Sequence, residues 1–247
     1  WTVFMSTIYM IRHGQASFSS SNYDRLSGLG RIQSEILGEY LLRSGISFDA
    51  AYAGSLLRQK HTAEIVLGHM AGPSQDNLEP AALQPSALQI DPRLNEYDAH
   101  NVMQSQLPGL LREKPFLARD LEHLNERRSF QRVFEGTILR WISGHHDSDG
   151  TETWKAFSTR VREAMKKTMD ENGRGKTAAI FTSGGPICSA VQMAIGVTDE
   201  TAIRLNWQLQ NTSVSVFKYN NEGLFLHAFN SIHHLQDRRN PKLLTYR

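Results

Sequence analysis

Short unbroken apolar runs alternate along the chain with longer stretches whose apolar residues recur at helical spacing. Ile8-Tyr9-Met10-Ile11 is a continuous apolar run, the pattern of a strand buried on both faces of a parallel sheet. Arg12-His13-Gly14 stands at its end. After a polar loop, Ser27 is placed to cap a helix whose apolar positions Leu29, Ile32, Ile36, Leu37, Tyr40 and Leu41 repeat at helical intervals, and Gly45 supplies the stop. Residues 48–53 read as a second strand, and Ser55 opens a second helix running toward Met70 with Arg58 in its first turn. A third apolar strand over 178–182 ends in Ser183-Gly184-Gly185-Pro186, ahead of a helix of small and apolar residues. Residues 214–219 and 224–229, joined by Asn220-Asn221-Glu222-Gly223, form a hairpin or a pair of late strands.

Alternating strands and helices predict an α/β fold: a doubly wound, mostly parallel sheet with helices on both faces, its ligands gathered beyond the carboxyl ends of the strands. Residues 97–150 break the pattern. They are rich in charge, and Leu121, Leu124, Phe130, Val133, Phe134, Ile138, Leu139 and Trp141 suggest helices without strands. We read this stretch as a helical cap inserted over the catalytic end of a single domain spanning 5–247, and residues 1–4 as an appended remnant or upstream extension.

Composition narrows the function. Lys plus Arg total 27 against 25 Asp plus Glu, a net charge of +2, so no global field draws the chain to nucleic acid or a membrane. No apolar run approaches the roughly 18 to 20 residues that span a bilayer. One cysteine, Cys188, excludes an internal disulfide and a thiolate-rich metal site and predicts a reducing, cytoplasmic setting. Any anion preference must therefore be local.

A histidine just past a buried strand, between an arginine and a glycine, has a specific use. Neutral imidazole is a nucleophile near neutral pH, and an adjacent guanidinium disfavours its protonation while binding phosphate in bidentate fashion. Gly14 removes bulk where backbone would approach the anion. In Ser55-Leu56-Leu57-Arg58-Gln59-Lys60-His61-Thr62-Ala63 the arginine stands at a helix N-terminus, where amide N–H groups and the helix dipole already favour an anion.

The segments Ile8-Tyr9-Met10-Ile11-Arg12-His13-Gly14-Gln15-Ala16 and Ser55 to Ala63 resemble the two N-terminal signatures of the histidine phosphatase superfamily, which includes the cofactor-dependent phosphoglycerate mutases. Asp91-Pro92-Arg93-Leu94-Asn95-Glu96 is similar to the segment bearing that family's acid, Gly150-Thr151-Glu152-Thr153-Trp154 to a Gly-Glu-Ser-like segment, and Asn230-Ser231-Ile232-His233-His234-Leu235 to its C-terminal pattern. The resemblance implies a phosphohistidine on His13, phosphate clamping by Arg12 and Arg58, and Glu96 as the proton donor to the leaving oxygen. Gly14, Gln15, Ser183 and Gly184 complete the expected substrate-binding set. It also exposes a departure: where the family typically has a second histidine followed by glycine, this chain has Ser183-Gly184. A hydroxyl brings a donor but no charge, which predicts a weakened pocket and a gain in rate on Ser183→His, unless His233 or His234 has taken over that role.

The expected partner is a small phosphorylated substrate, with no cofactor and no metal; the oligomeric state is left open. His145-His146-Asp147 lacks the spacing of metal ligands and reads as solvated or structural. Cys188 reads as a small core residue. Three functions remain: a phosphomonoester hydrolase, a mutase that keeps water from the phosphohistidine, and a phosphate-binding module that has lost turnover. The segment Tyr97-Asp98-Ala99-His100 lacks a glycine-rich continuation associated with mutases and favours the hydrolase.

Overall fold

The computed structural model describes residues 5–17, 24–71, 87–146 and 150–246; residues 1–4 and Asp147, singled out above, lie outside them. Six strands form one sheet: β1 (Ser6–Arg12), β2 (Ala50–Ala53), β3 (Gln89–Ile90), β4 (Thr177–Thr182), β5 (Val214–Asn220) and β6 (Gly223–Ser231). Their order is β3-β2-β4-β1-β5-β6. The first four are parallel, with Arg12 opposite Thr182 and Ala53 opposite Phe181. The last two run antiparallel, β5 against β1 and β6 against β5. Strand β1 is thus the seam between the parallel and antiparallel parts of the sheet.

The helices are α1 (Gly28–Arg43), α2 (Leu57–Met70), α3 (Ala99–Glu113), α4 (Ala118–Leu121), α5 (Arg127–Ile142), α6 (Trp154–Asn172), α7 (Gly184–Ile195), α8 (Asp199–Asn206) and α9 (His233–Gln236). The chain divides into two compact units, one of residues 1–96, 161–197 and 202–247, the other of residues 97–160 with 198–201. In the first unit α1 and α2 cover one sheet face. Leu37 and Leu41 of α1 and Ala63, Val66 and Leu67 of α2 pack on Ile11, Ala51, Ala53, Ala179 and Phe181. The alternate positions Ile8, Met10, Ala178 and Ile180 are equally buried, so the other face is covered too. There α7 packs on β1, and Tyr52 meets Glu171 and Asn172 of α6 through its hydroxyl.

The second unit carries helices and, among the described residues, no strand. It is built on an aromatic cluster in which Tyr97, Trp141, Trp154 and Phe157 lie 4.9–6.2 Å apart between ring centroids. Glu152 forms a two-point ion pair with Arg160, a structural use of the residue that the sequence grouped with the later motifs.

Candidate active site

The parallel strands end together, and the loops beyond β1, β2 and β4 bring the sequence-marked residues to one place. Three hydrogen bonds fasten these ends. His13 N–H donates to Thr182 O at 2.9 Å and Gly54 N–H to Phe181 O at 3.2 Å, while the Thr182 hydroxyl donates to Leu94 O at 2.6 Å. The last of these tethers the segment bearing Glu96 to β4.

His13 is buried and its ring is oriented at both nitrogens. Arg58 Nε lies 3.2 Å from Nε2. A guanidinium can only donate, so Nε2 must present its lone pair. Nδ1 then carries the proton and donates to Gly14 O at 2.7 Å. Burial, then the charges of Arg58 and Arg12, push the imidazole well below its usual value, against a smaller opposite effect of the Gly14 carbonyl. The ring is held as the Nδ1–H tautomer, with its Nε2 electron pair accepting from Arg58. The His13 carbonyl is held from behind by Asn211 Nδ2 at 3.1 Å and Thr212 N–H at 3.3 Å.

Arg58 is itself positioned. Its Nη1 donates to Asp24 Oδ1 at 2.8 Å, and the other oxygen of Asp24 accepts from Leu57 N–H at 2.8 Å. Helix α2 has no capping side chain of its own at Leu56; the Asp24 carboxylate, from the segment between β1 and α1, fills that place. Arg12 donates through Nη1 to Leu209 O. Asp24 was not marked by the sequence, because a lone acidic residue in a polar loop carries no periodic or spacing signal.

Gly14 and Gly184 are small for reasons of packing. A Cβ on Gly14 would lie 2.4 Å from Gly30 O of α1, and one on Gly184 would lie 1.9 Å from Asn206 Oδ1. The N–H of Gly14 is engaged by Thr62 Oγ1 at 3.0 Å. The close fit of α1 against the loop after β1 is thus a second reason, besides the one the sequence suggested, for glycine at position 14. Gln15 belongs to the same joint: its N–H donates to Gln33 Oε1 and its Oε1 accepts from the Ser27 hydroxyl, both at 2.9 Å.

Glu96 Oε2 accepts from Gly185 N–H at 3.0 Å, at the start of α7. Its charge and that of Arg12 both reach the buried Cys188 thiol, which burial, reinforced by Glu96, pushes well up. The cysteine is the small core residue its sequence suggested. Ser183 is fully buried and its Oγ accepts from Gln59 Nε2 at 2.9 Å. His234 is also buried, with Nε2 3.0 Å from Thr212 Oγ1, whose own proton goes to Asn211 O at 2.7 Å. It therefore lies behind the His13 carbonyl, one residue removed from the ring. Among the described residues no group of three or more His, Cys, Asp or Glu side chains is arranged to hold a metal ion.

This site is set in a fold that known proteins share. The model of the histidine phosphatase superfamily (branch 1) matches residues 8–106 and 111–232, and the chain belongs to that superfamily. Over 83 residues it is 31% identical to a 2,3-bisphosphoglycerate-dependent phosphoglycerate mutase of Bartonella bacilliformis, a match covering 31% of this chain and 40% of the mutase. The fold is that of the α-ribazole phosphatase from Shigella flexneri (TM-score 0.56, 20% identity, 91% of this chain and 96% of the other). A variant of phosphoserine phosphatase from Entamoeba histolytica, solved with phosphoserine, gives a TM-score of 0.61 at 16% identity over 94% of this chain and 100% of the other. Among the described residues no helix is long and apolar enough to cross a membrane.

Proposed function

We propose that the chain is a phosphomonoester hydrolase that carries a phosphoryl group on His13, with Glu96 as general acid and then base. The observation that carries this reading is the Arg58 Nε to His13 Nε2 hydrogen bond, which fixes the tautomer and leaves the attacking electron pair on the ring. In the first step Nε2 forms a bond to phosphorus, the bond from phosphorus to the ester oxygen breaks, and Glu96 protonates the departing alkoxide. Arg12 and Arg58 balance charge on the equatorial oxygens. In the second step Glu96 takes a proton from water, the water oxygen attacks phosphorus, and His13 leaves neutral with inorganic phosphate as product.

The positive charge of two arginines and of the α2 N-terminus serves the purpose a metal serves elsewhere. Chelator is expected to leave the rate unchanged, and a rate restored only by a divalent cation would overturn that assignment. Proximity of mutase relatives in sequence keeps phosphoryl transfer to a second phosphorylated acceptor as the other enzymatic reading. Protein incubated with an aryl phosphate should show an acid-labile phosphoryl adduct on His13 by mass spectrometry and release inorganic phosphate. His13→Ala should abolish both while melting near the parent temperature. Turnover retained by folded His13→Ala sinks the nucleophile; phosphate binding without any adduct makes the chain a binding module.

A further inference from the structure

Ser183 does not stand alone. Gln59, the residue after Arg58, is fully buried, and its amide nitrogen is committed to Ser183 Oγ at 2.9 Å and Leu94 O at 3.3 Å. Its carbonyl oxygen, Oε1, is buried without a hydrogen-bond partner. The amide lies against Gly54, where a Cβ would come within 1.9 Å of Oε1. Burying an amide with one end unsatisfied carries a cost that an apolar side chain of similar size avoids.

The hydrogen-bond directions show what the amide does. An amide N–H only donates, so Ser183 Oγ is the acceptor, and the hydroxyl proton is directed away from Gln59. Although Ser183 occupies the capping position of α7, its side chain makes no cap hydrogen bond. The β1–β4 register pairs Arg12 with Thr182, so the next residues along the two chains are His13 and Ser183. The hydroxyl is therefore kept from its ordinary helix-capping role at the position beside the nucleophile.

We propose that Gln59 is a positioning residue: it fixes Ser183 Oγ so that the hydroxyl proton is the neutral donor to an equatorial oxygen of the transferring phosphoryl group. This deepens the phosphohistidine reading and rests on it. It also revises the expectation that histidine at 183 would help. The Cγ of a histidine takes about the place of a serine Oγ, and the ring extends beyond it, into the space the Gln59 amide occupies 2.9 Å away. An imidazole needs Gln59 trimmed as well.

Single-turnover phosphorylation of His13 by an aryl phosphate, measured beside thermal melts, tests the pairing. Ser183→Ala should lower the rate about a hundredfold, and Ser183→Thr, which keeps the hydroxyl, should recover most of it. Gln59→Met should lower the rate about tenfold when Ser183 is present and leave it unchanged when Ser183→Ala is already made. Ser183→His alone should be slower than the parent, and adding Gln59→Ala should speed it about tenfold. Equal losses from Gln59→Met in both backgrounds overturn the proposal, as does a Gln59→Met protein altered in melting temperature but not in rate. A Ser183→His protein that outpaces the parent with Gln59 intact overturns it too, and this comparison needs no change at Gln59. Absence of phosphohistidine in the parent protein is a separate result and refutes the underlying reading instead.

Discussion

The tautomer and charge of His13 have one origin: an acceptor, the Gly14 carbonyl, at Nδ1 and a donor, Arg58, at Nε2, which leave no place for a second proton. Because burial and the two arginines depress its protonation, the ring should show no titration near pH 6.5. An NMR titration of its carbon-bound protons should find it neutral from pH 7.5 to below 6; a midpoint near 6.5 would contradict the buried, arginine-faced geometry. Asp24 is expected to act through Arg58. Without its carboxylate, both Arg58 Nη1 and Leu57 N–H lose their acceptor, and a guanidinium displaced by about an ångström costs roughly ten- to a hundredfold in rate. Asp24→Ala should raise KM for an aryl phosphate and lower kcat/KM by that factor, whereas tighter phosphate binding would show the carboxylate to be a competitor. His13, Arg12 and Arg58 were legible in sequence because strand ends and helix starts are local signals. Asp24 and Gln59 were not, since their roles arise from contacts with residues 33 and 124 positions away.

At the scale of elements, the loop after β1 is shaped by its fit to α1. Ser27 caps that helix through Gly30 N–H at 3.0 Å, as its position predicted, and Gly45 ends it with a left-handed φ of 66°. Gly30 approaches Gln15 so closely that a Cβ would meet its carbonyl at 2.1 Å, while Gly28, two residues earlier, has open space around it. Gly30→Ala should therefore destabilise the protein by about 1–3 kcal/mol and lower activity by displacing the loop that carries His13. Gly28→Ala should change neither, and denaturant melts with rate assays on both variants check the contrast. Equal effects would mean that ordinary helix propensity, not the fit to the loop, is being measured. Long periodic segments such as α1 and the β5–β6 hairpin could be read ahead of the structure. Strand β3 could not, because two residues offer no period to recognise. The antiparallel pairing of β5 with β1 was equally hidden, since apolar patterning shows which residues are buried and not which strand lies next door.

For the molecule as a whole, two buried histidines weaken the fold in acid. Burial, with a smaller effect of His233, pushes His234 down to about 3, and His13 shifts the same way. The unfolded chain titrates these rings near 6.5, so between about pH 6.5 and 3 it binds protons that the folded chain refuses. Stability is therefore full above pH 7 and falls as the pH drops through that window. At about 1.4 kcal/mol per pH unit, His234 alone removes on the order of 4 kcal/mol by the lower end, a large part of an ordinary domain's 5–15 kcal/mol. Urea melts at pH 7.5, 5.5 and 4.5 should show this loss. His234→Gln, which keeps an N–H for Thr212 but does not titrate, should reduce it to the part His13 contributes, and unchanged slopes would sink the assignment. Overall charge and composition foretold none of this, because they record how many histidines there are and not which ones are enclosed. The seam position of β1 also has a consequence for synthesis. Thr7 pairs with Thr177 on one side and Lys218 on the other, so a chain emerging from the ribosome holds β1 unpaired until both distant partners have followed it out. Contacts this far apart in sequence form late, and in the half-made protein the loops beyond β1 and β4 have not yet met.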